Sequence, residues 1–128
     1  MFKTIAFIFA GGALGAVVRE SLMHGVPNLV DGFPLDILAA NLAASFLLGW
    51  VTALHRRKSV SDDVNTLLGT GVSGGLSTFS SFAYGASVLM AASAASALVA
   101  AAYVAISLVA GYFAIKVGLA IGGERPST

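Results

Sequence analysis

The chain has 128 residues, of which 57% are hydrophobic and 10% charged, with a formal net charge of +1 and a mean hydropathy of +0.89. Soluble domains carry roughly a quarter charged residues, so an ordinary water-soluble domain is excluded, and the near-neutral charge leaves no basic surface for nucleic acid. Cysteine is absent, which also excludes disulfides and thiolate metal sites.

Four apolar stretches, at approximately 4–23, 33–54, 64–92 and 96–122, are each long enough to cross a bilayer. About 20 helical residues at a rise of about 1.5 Å span a hydrocarbon core of about 30 Å. The predicted architecture is an all-α membrane protein, a single four-helix transmembrane domain over residues 1–128, with the lipid bilayer as its solvent. The opening MFKTIAFIFAGGALGA also has the outline of a cleavable signal peptide; with three further spans behind it, retention as the first helix is the expectation.

Helix one carries Gly11, Gly12 and Gly15, a small-residue pattern that lets two membrane helices approach closely. It ends at Arg19 and Glu20, and HGVPNLVDGFPLD follows with the Gly, Pro and Asp of a surface turn. Arg19 has two readings: a cation that draws anions into a vestibule, or a side chain that snorkels to headgroups or pairs with Glu20.

Helix two sets Asn41, Ser45 and Gly49 four residues apart on one face. The Asn41 amide has two donors and sits near mid-membrane, where an unpaired polar group is costly; it serves either a passing ligand or an interhelical bond. Trp50 followed by His55, Arg56, Arg57 and Lys58 reads as an interfacial aromatic and a basic loop. Asp62 and Asp63 suit the start of helix three, because carboxylates favour a helix N-terminus.

Residues 69–84, GTGVSGGLSTFSSFAY, place glycines and hydroxyls where a membrane helix should be continuously apolar. A broken third helix is predicted, interrupted around Val72 to Thr78. Backbone freed at membrane depth must be satisfied by protein, water or an ion. Four tightly packed helices leave no lumen, so a conduction route requires an oligomer. A symmetric dimer crossing at the two breaks gathers carbonyls around a cation, with Gly74 and Ser77 as donors; the alternative is that the glycines only permit close crossing. Phe79 and Phe82 can project from one side of the helix, where their positive ring edges face a small anion or simply pack. Ser80, Ser81, Ser45, Tyr103 and Ser107 extend a neutral donor track, or bond their own helix backbone.

Helix four carries Tyr103, Ser107 and Gly111 along one edge. With both termini cytoplasmic, Lys3, Arg56, Arg57, Lys58, Lys116 and Arg125 fall inside and Arg19 outside, the arrangement that the positive-inside rule favours. No Asp or Glu is expected deep in a span, which argues against a proton-coupled small multidrug-type exporter. No nucleophile–base constellation or phosphate loop is visible, so an enzyme is not expected. A noncatalytic membrane-assembly subunit is the remaining alternative.

The segments GGALGAVVRE, FPLDILAANLAASFLLGW and GVSGGLSTFSSF together resemble the signatures of the Fluc (CrcB-type) fluoride channels. The resemblance covers nearly the whole chain in order. It implies an antiparallel, dual-topology homodimer with two fluoride pores, passive fluoride export conferring fluoride resistance, and a structural Na+ at the centre. By matching positions, Phe79 and Phe82 are the pore rings, Asn41 the amide that contacts fluoride and orients an aromatic, Gly74 and Ser77 the sodium-binding carbonyls, Tyr103 and Ser107 the helix-four track, and Arg19 the vestibule arginine. Gly111 departs from the serine common one turn beyond Ser107, and Ser77 and Ser81 replace commoner threonines.

Overall fold

The structure is a computed structural model describing residues 1–28 and 32–123. Leu29 to Asp31 of the expected first turn, and Arg125 of the charge reading, lie outside the described residues.

Helices account for nearly all of the described chain. Helix α1 runs Phe2–Gly25 and α2 Leu35–Arg56. A short α3, Asp62–Val64, starts at Ser61, whose hydroxyl accepts the Val64 N–H. It continues as a π-helical segment, Asn65–Val72, and then as α4, Ser73–Leu76. Ser77 (φ −75°, ψ 153°) and Thr78 (φ −146°, ψ 111°) are extended. Helix α5, Phe79–Ala92, is separated by Ser93 from α6, Ala94–Ile121. Ser93 accepts the Ser96 N–H at 3.0 Å and so caps α6.

Among the described residues three helices, α1, α2 and α6, are long and apolar enough to cross a membrane. The stretch expected as the third span is divided among α3, the π segment, α4 and α5. Its non-helical backbone is narrower than the predicted interruption, because Val72 to Leu76 stay helical and only Ser77 and Thr78 are extended.

Glycine sets the two closest helix crossings. A Cβ on Gly15 would collide with the Val72 carbonyl and the Leu76 amide, and one on Gly75 with the Gly12 carbonyl. Helix α1 therefore lies backbone to backbone on the π segment and α4. On the other side Gly49 of α2 sits against the Ile115 carbonyl, and Gly118 of α6 against the Phe46 carbonyl. In lipid, where apolar surface gains little from leaving its solvent, such close packing is what joins helices. Tyr103, fully buried, anchors the largest side-chain cluster with Leu38 and Ala86.

Charged groups collect at the helix ends. Lys3 pairs with Asp63 and His55 with Asp62 at 2.8 Å, so both carboxylates of α3 are engaged. Arg57 donates to the Gly122 carbonyl at 3.0 Å. Asp36, which falls both in the expected turn segment and in the 33–54 span, belongs to the helix. It is buried in the first turn of α2, where its carboxylate accepts the Ile37 N–H at 2.8 Å and lies at the positive end of the helix.

Candidate functional site

The extended pair Ser77 and Thr78 organises the site. Helix α2 carries Asn41 opposite Thr78, and the amide binds both backbone groups of that residue. Asn41 Oδ1 accepts the Thr78 N–H at 2.7 Å, and Nδ2 donates to the Thr78 carbonyl at 3.3 Å. In a continuous helix the Thr78 N–H would bond the Gly74 carbonyl. Asn41 takes that donor away, which is the physical reason α4 stops.

The carbonyls at the end of α4 consequently differ. That of Ser73 accepts the Ser77 N–H at 3.0 Å. That of Gly74 has the Ser77 hydroxyl at 3.4 Å. That of Gly75 accepts a bond of 3.0 Å from Arg19 Nη1 of α1. Arg19 is thus directed at backbone rather than at its neighbour Glu20, whose carboxylate lies 3.6 Å from His24.

Thr78 also starts the next helix. Its hydroxyl accepts the Ser81 N–H at 3.2 Å and donates to Ser81 Oγ at 3.0 Å, while Ser80 Oγ lies 3.4 Å away. Ser80 and Ser81 are drawn into this cap. Sequence reasoning missed Thr78; a threonine directly before a hydroxyl-rich helix start is an N-cap signal that would have found it.

Beside the extended pair lies a cleft of about 260 Å³. Asn41, Ser45, Ser77, Phe79, Phe82 and Ser107 line it, bringing together residues from α2, α5 and α6. The Phe79 and Phe82 ring centroids are 5.9 Å apart, yet their surroundings differ. Phe79 is 80% exposed, whereas Phe82 rests on Tyr103 with centroids 5.3 Å apart, and Phe33 meets the same tyrosine edge-on at 5.3 Å. Tyr103 therefore stands behind Phe82. A second hollow of about 210 Å³ adjoins the first through Ser45 and Ser77 and includes Thr70, Ser73 and Gly74. A Cβ on Gly74 would meet nothing within 4 Å, so this glycine faces open space.

Two hydroxyls stand out. Tyr103 Oη and Ser107 Oγ are buried with no hydrogen-bond partner among the described residues. Leaving such a group unmade costs about 1–3 kcal/mol, and each instance in a folded protein calls for a cause. Together with the Asn41 amide they form an uncharged donor set near aromatic rings. Such a set can bind a small anion weakly and without proton exchange.

The family described as "CrcB-like protein, Camphor Resistance (CrcB)" matches residues 6–119. The chain belongs to the CrcB-like family. Among relatives of this CrcB-like chain, a protein of Brucella melitensis named fluoride-specific ion channel FluC 2 is 57% identical over 122 residues, covering 95% of this chain and 45% of the relative. A protein of Yersinia pseudotuberculosis named fluoride-specific ion channel FluC 3 is 47% identical over 122 residues, 95% of this chain and 90% of the relative. One from Ignicoccus hospitalis, named fluoride-specific ion channel FluC, is 40% identical over 91 residues, 71% of this chain and 73% of the relative. The CrcB-like chain thus spans about half the length of its Brucella relatives and most of the Yersinia one. It is a multi-pass membrane protein.

Proposed function

We propose that this chain is a fluoride-selective channel of the inner (plasma) membrane, formed by two antiparallel copies and exporting fluoride passively. In this reading residues 62–92 cross the bilayer as an interrupted third span. The observation that carries it is the uncharged cleft at Asn41, Phe79, Phe82 and Ser107, with the orphaned hydroxyls of Tyr103 and Ser107 along α6. The fluoride-channel names of the relatives support it.

The chemistry follows from the donor set. Fluoride sheds water and exchanges it for weak, neutral partners: the second N–H of Asn41, the α6 hydroxyls and the ring edges of Phe79 and Phe82. Weak successive positions let an anion leave as readily as it enters, which a fixed charge would prevent. Chloride, being larger, recovers less from a narrow passage. Selectivity is the difference between two large solvation terms. The membrane potential drives the anion outward.

A structural Na+ fits the residues present. The Gly74 carbonyl has no backbone N–H donor from Thr78, Gly74 faces open space, and Ser77 is exposed and extended. Neutral carbonyl oxygens are the hard donors that a small monovalent cation prefers. Gly74 and Ser77 of each copy would hold it, and bound there it would offset carbonyl repulsion at the crossing. The exposed Phe79 and the hollow around Gly74 are the surfaces a second copy would cover.

The deciding experiment is a fluoride-electrode efflux trace from liposomes containing only this protein, run beside chloride. Fluoride release without chloride release is expected. Absence of fluoride release overturns the proposal.

A further inference from the structure

Gly11, Gly15 and Arg19 are spaced four residues apart and share one face of α1. The two glycines bring that face onto the backbone of the π segment and α4. Arg19 is the next member of the same stripe, and the close crossing delivers its guanidinium to the Gly75 carbonyl at 3.0 Å. Gly75 needs such a partner, because the helix that would have supplied one stops at Leu76. An arginine donates a charge-assisted bond, stronger than a neutral one.

We propose that Arg19 is a positioning residue that occupies the Gly75 carbonyl, fixes the end of α4, and thereby leaves the Gly74 and Ser77 carbonyls as the acceptors for a cation. This rests on the sodium reading above and extends it by naming what selects the two carbonyls. Without Arg19 the Gly75 carbonyl competes for the ion or draws a backbone N–H, and the extended pair turns. The role differs from attracting anions through space, which depends on the charge alone and is screened by salt within about 10 Å at 0.1 M.

The test uses the full chain, donor- and acceptor-labelled, in lipid nanodiscs or detergent. Association is followed by energy transfer while Na+ is varied against choline at constant ionic strength. Arg19→Ala is expected to raise the half-maximal sodium concentration by about tenfold to hundredfold, the worth of one charge-assisted bond. Amide exchange at Ser77 and Thr78 should quicken in parallel. Guanidinium ion should restore the midpoint where choline does not, and Arg19→Lys, which keeps the charge and a donor, should fall between. If Arg19→Ala does not assemble at any sodium concentration, the Arg19→Lys midpoint decides. A variant midpoint equal to wild type, with only a salt-screened loss of fluoride flux, overturns the positioning role and leaves the sodium reading intact. Wild-type association indifferent to sodium removes both.

Discussion

At the scale of single residues the side chains divide by what they bond. Asn41 is committed to Thr78 through both ends of its amide, so replacing it alters backbone as well as pathway. Asn41→Asp keeps an acceptor for the Thr78 N–H, loses the donor to the Thr78 carbonyl, and puts a negative charge on the proposed anion route. Fluoride flux from vesicles is expected to stop while the protein still assembles; wild-type flux would take Asn41 off the route. Tyr103→Phe makes the opposite split. Removing a buried hydroxyl that has no partner should leave stability unchanged or raise it by about 1 kcal/mol, yet lower fluoride efflux. Equilibrium unfolding and an electrode trace on the same preparation check both halves, and a stability loss with undiminished flux would contradict the role assigned to Oη.

At the scale of helices, two glycines of α1 three residues apart, Gly12 and Gly15, make a matched pair. Gly15→Ala drives a methyl into the Val72 carbonyl and Leu76 amide, whereas a methyl on Gly12 meets nothing within 4 Å. The first should cost about 1–3 kcal/mol, because backbone cannot move aside as a side chain does. The second should be neutral. Denaturant titration of the two variants gives the comparison, and equal stabilities would mean that α1 is not held by this crossing. The glycines themselves were readable from spacing, as were α1, α2 and α6, whose apolar runs of roughly bilayer length leave few alternatives. The sequence places the interruption around Val72 to Thr78, but its narrowing to Ser77 and Thr78 was not legible, because the Thr78 N–H is taken by a side chain 37 residues away in sequence. The π segment carries no local mark, since the same residues support α geometry. Burial of Asp36 and the aim of Arg19 also depend on partners that no local pattern names. Ser80 and Ser81 were readable as hydroxyl-bearing residues, but their contacts with the Thr78 hydroxyl, which donates to Ser81 Oγ and lies 3.4 Å from Ser80 Oγ, were not.

At the scale of the whole molecule, the proposed antiparallel pair requires a chain with basic residues gathered near one end to insert both ways. Lys3 and His55 are paired with Asp63 and Asp62, and Arg57 is bonded to the end of α6. Arginine and lysine set orientation more than nearby carboxylates do, so the test must be direct. Single cysteines at either terminus of the otherwise cysteine-free chain, probed from both sides of intact cells, are expected to label as two populations; one population alone would remove the inverted pair. The amide lock on Thr78 also bears on biogenesis. Without Asn41 beside it, the Thr78 peptide group would be unpaired polar backbone, which hydrocarbon penalises by several kcal/mol. Asn41 is translated first, so in the proposed reading, in which residues 62–92 cross the bilayer, the partner of Thr78 is already made when that segment enters lipid, and integration is expected to follow the order of translation.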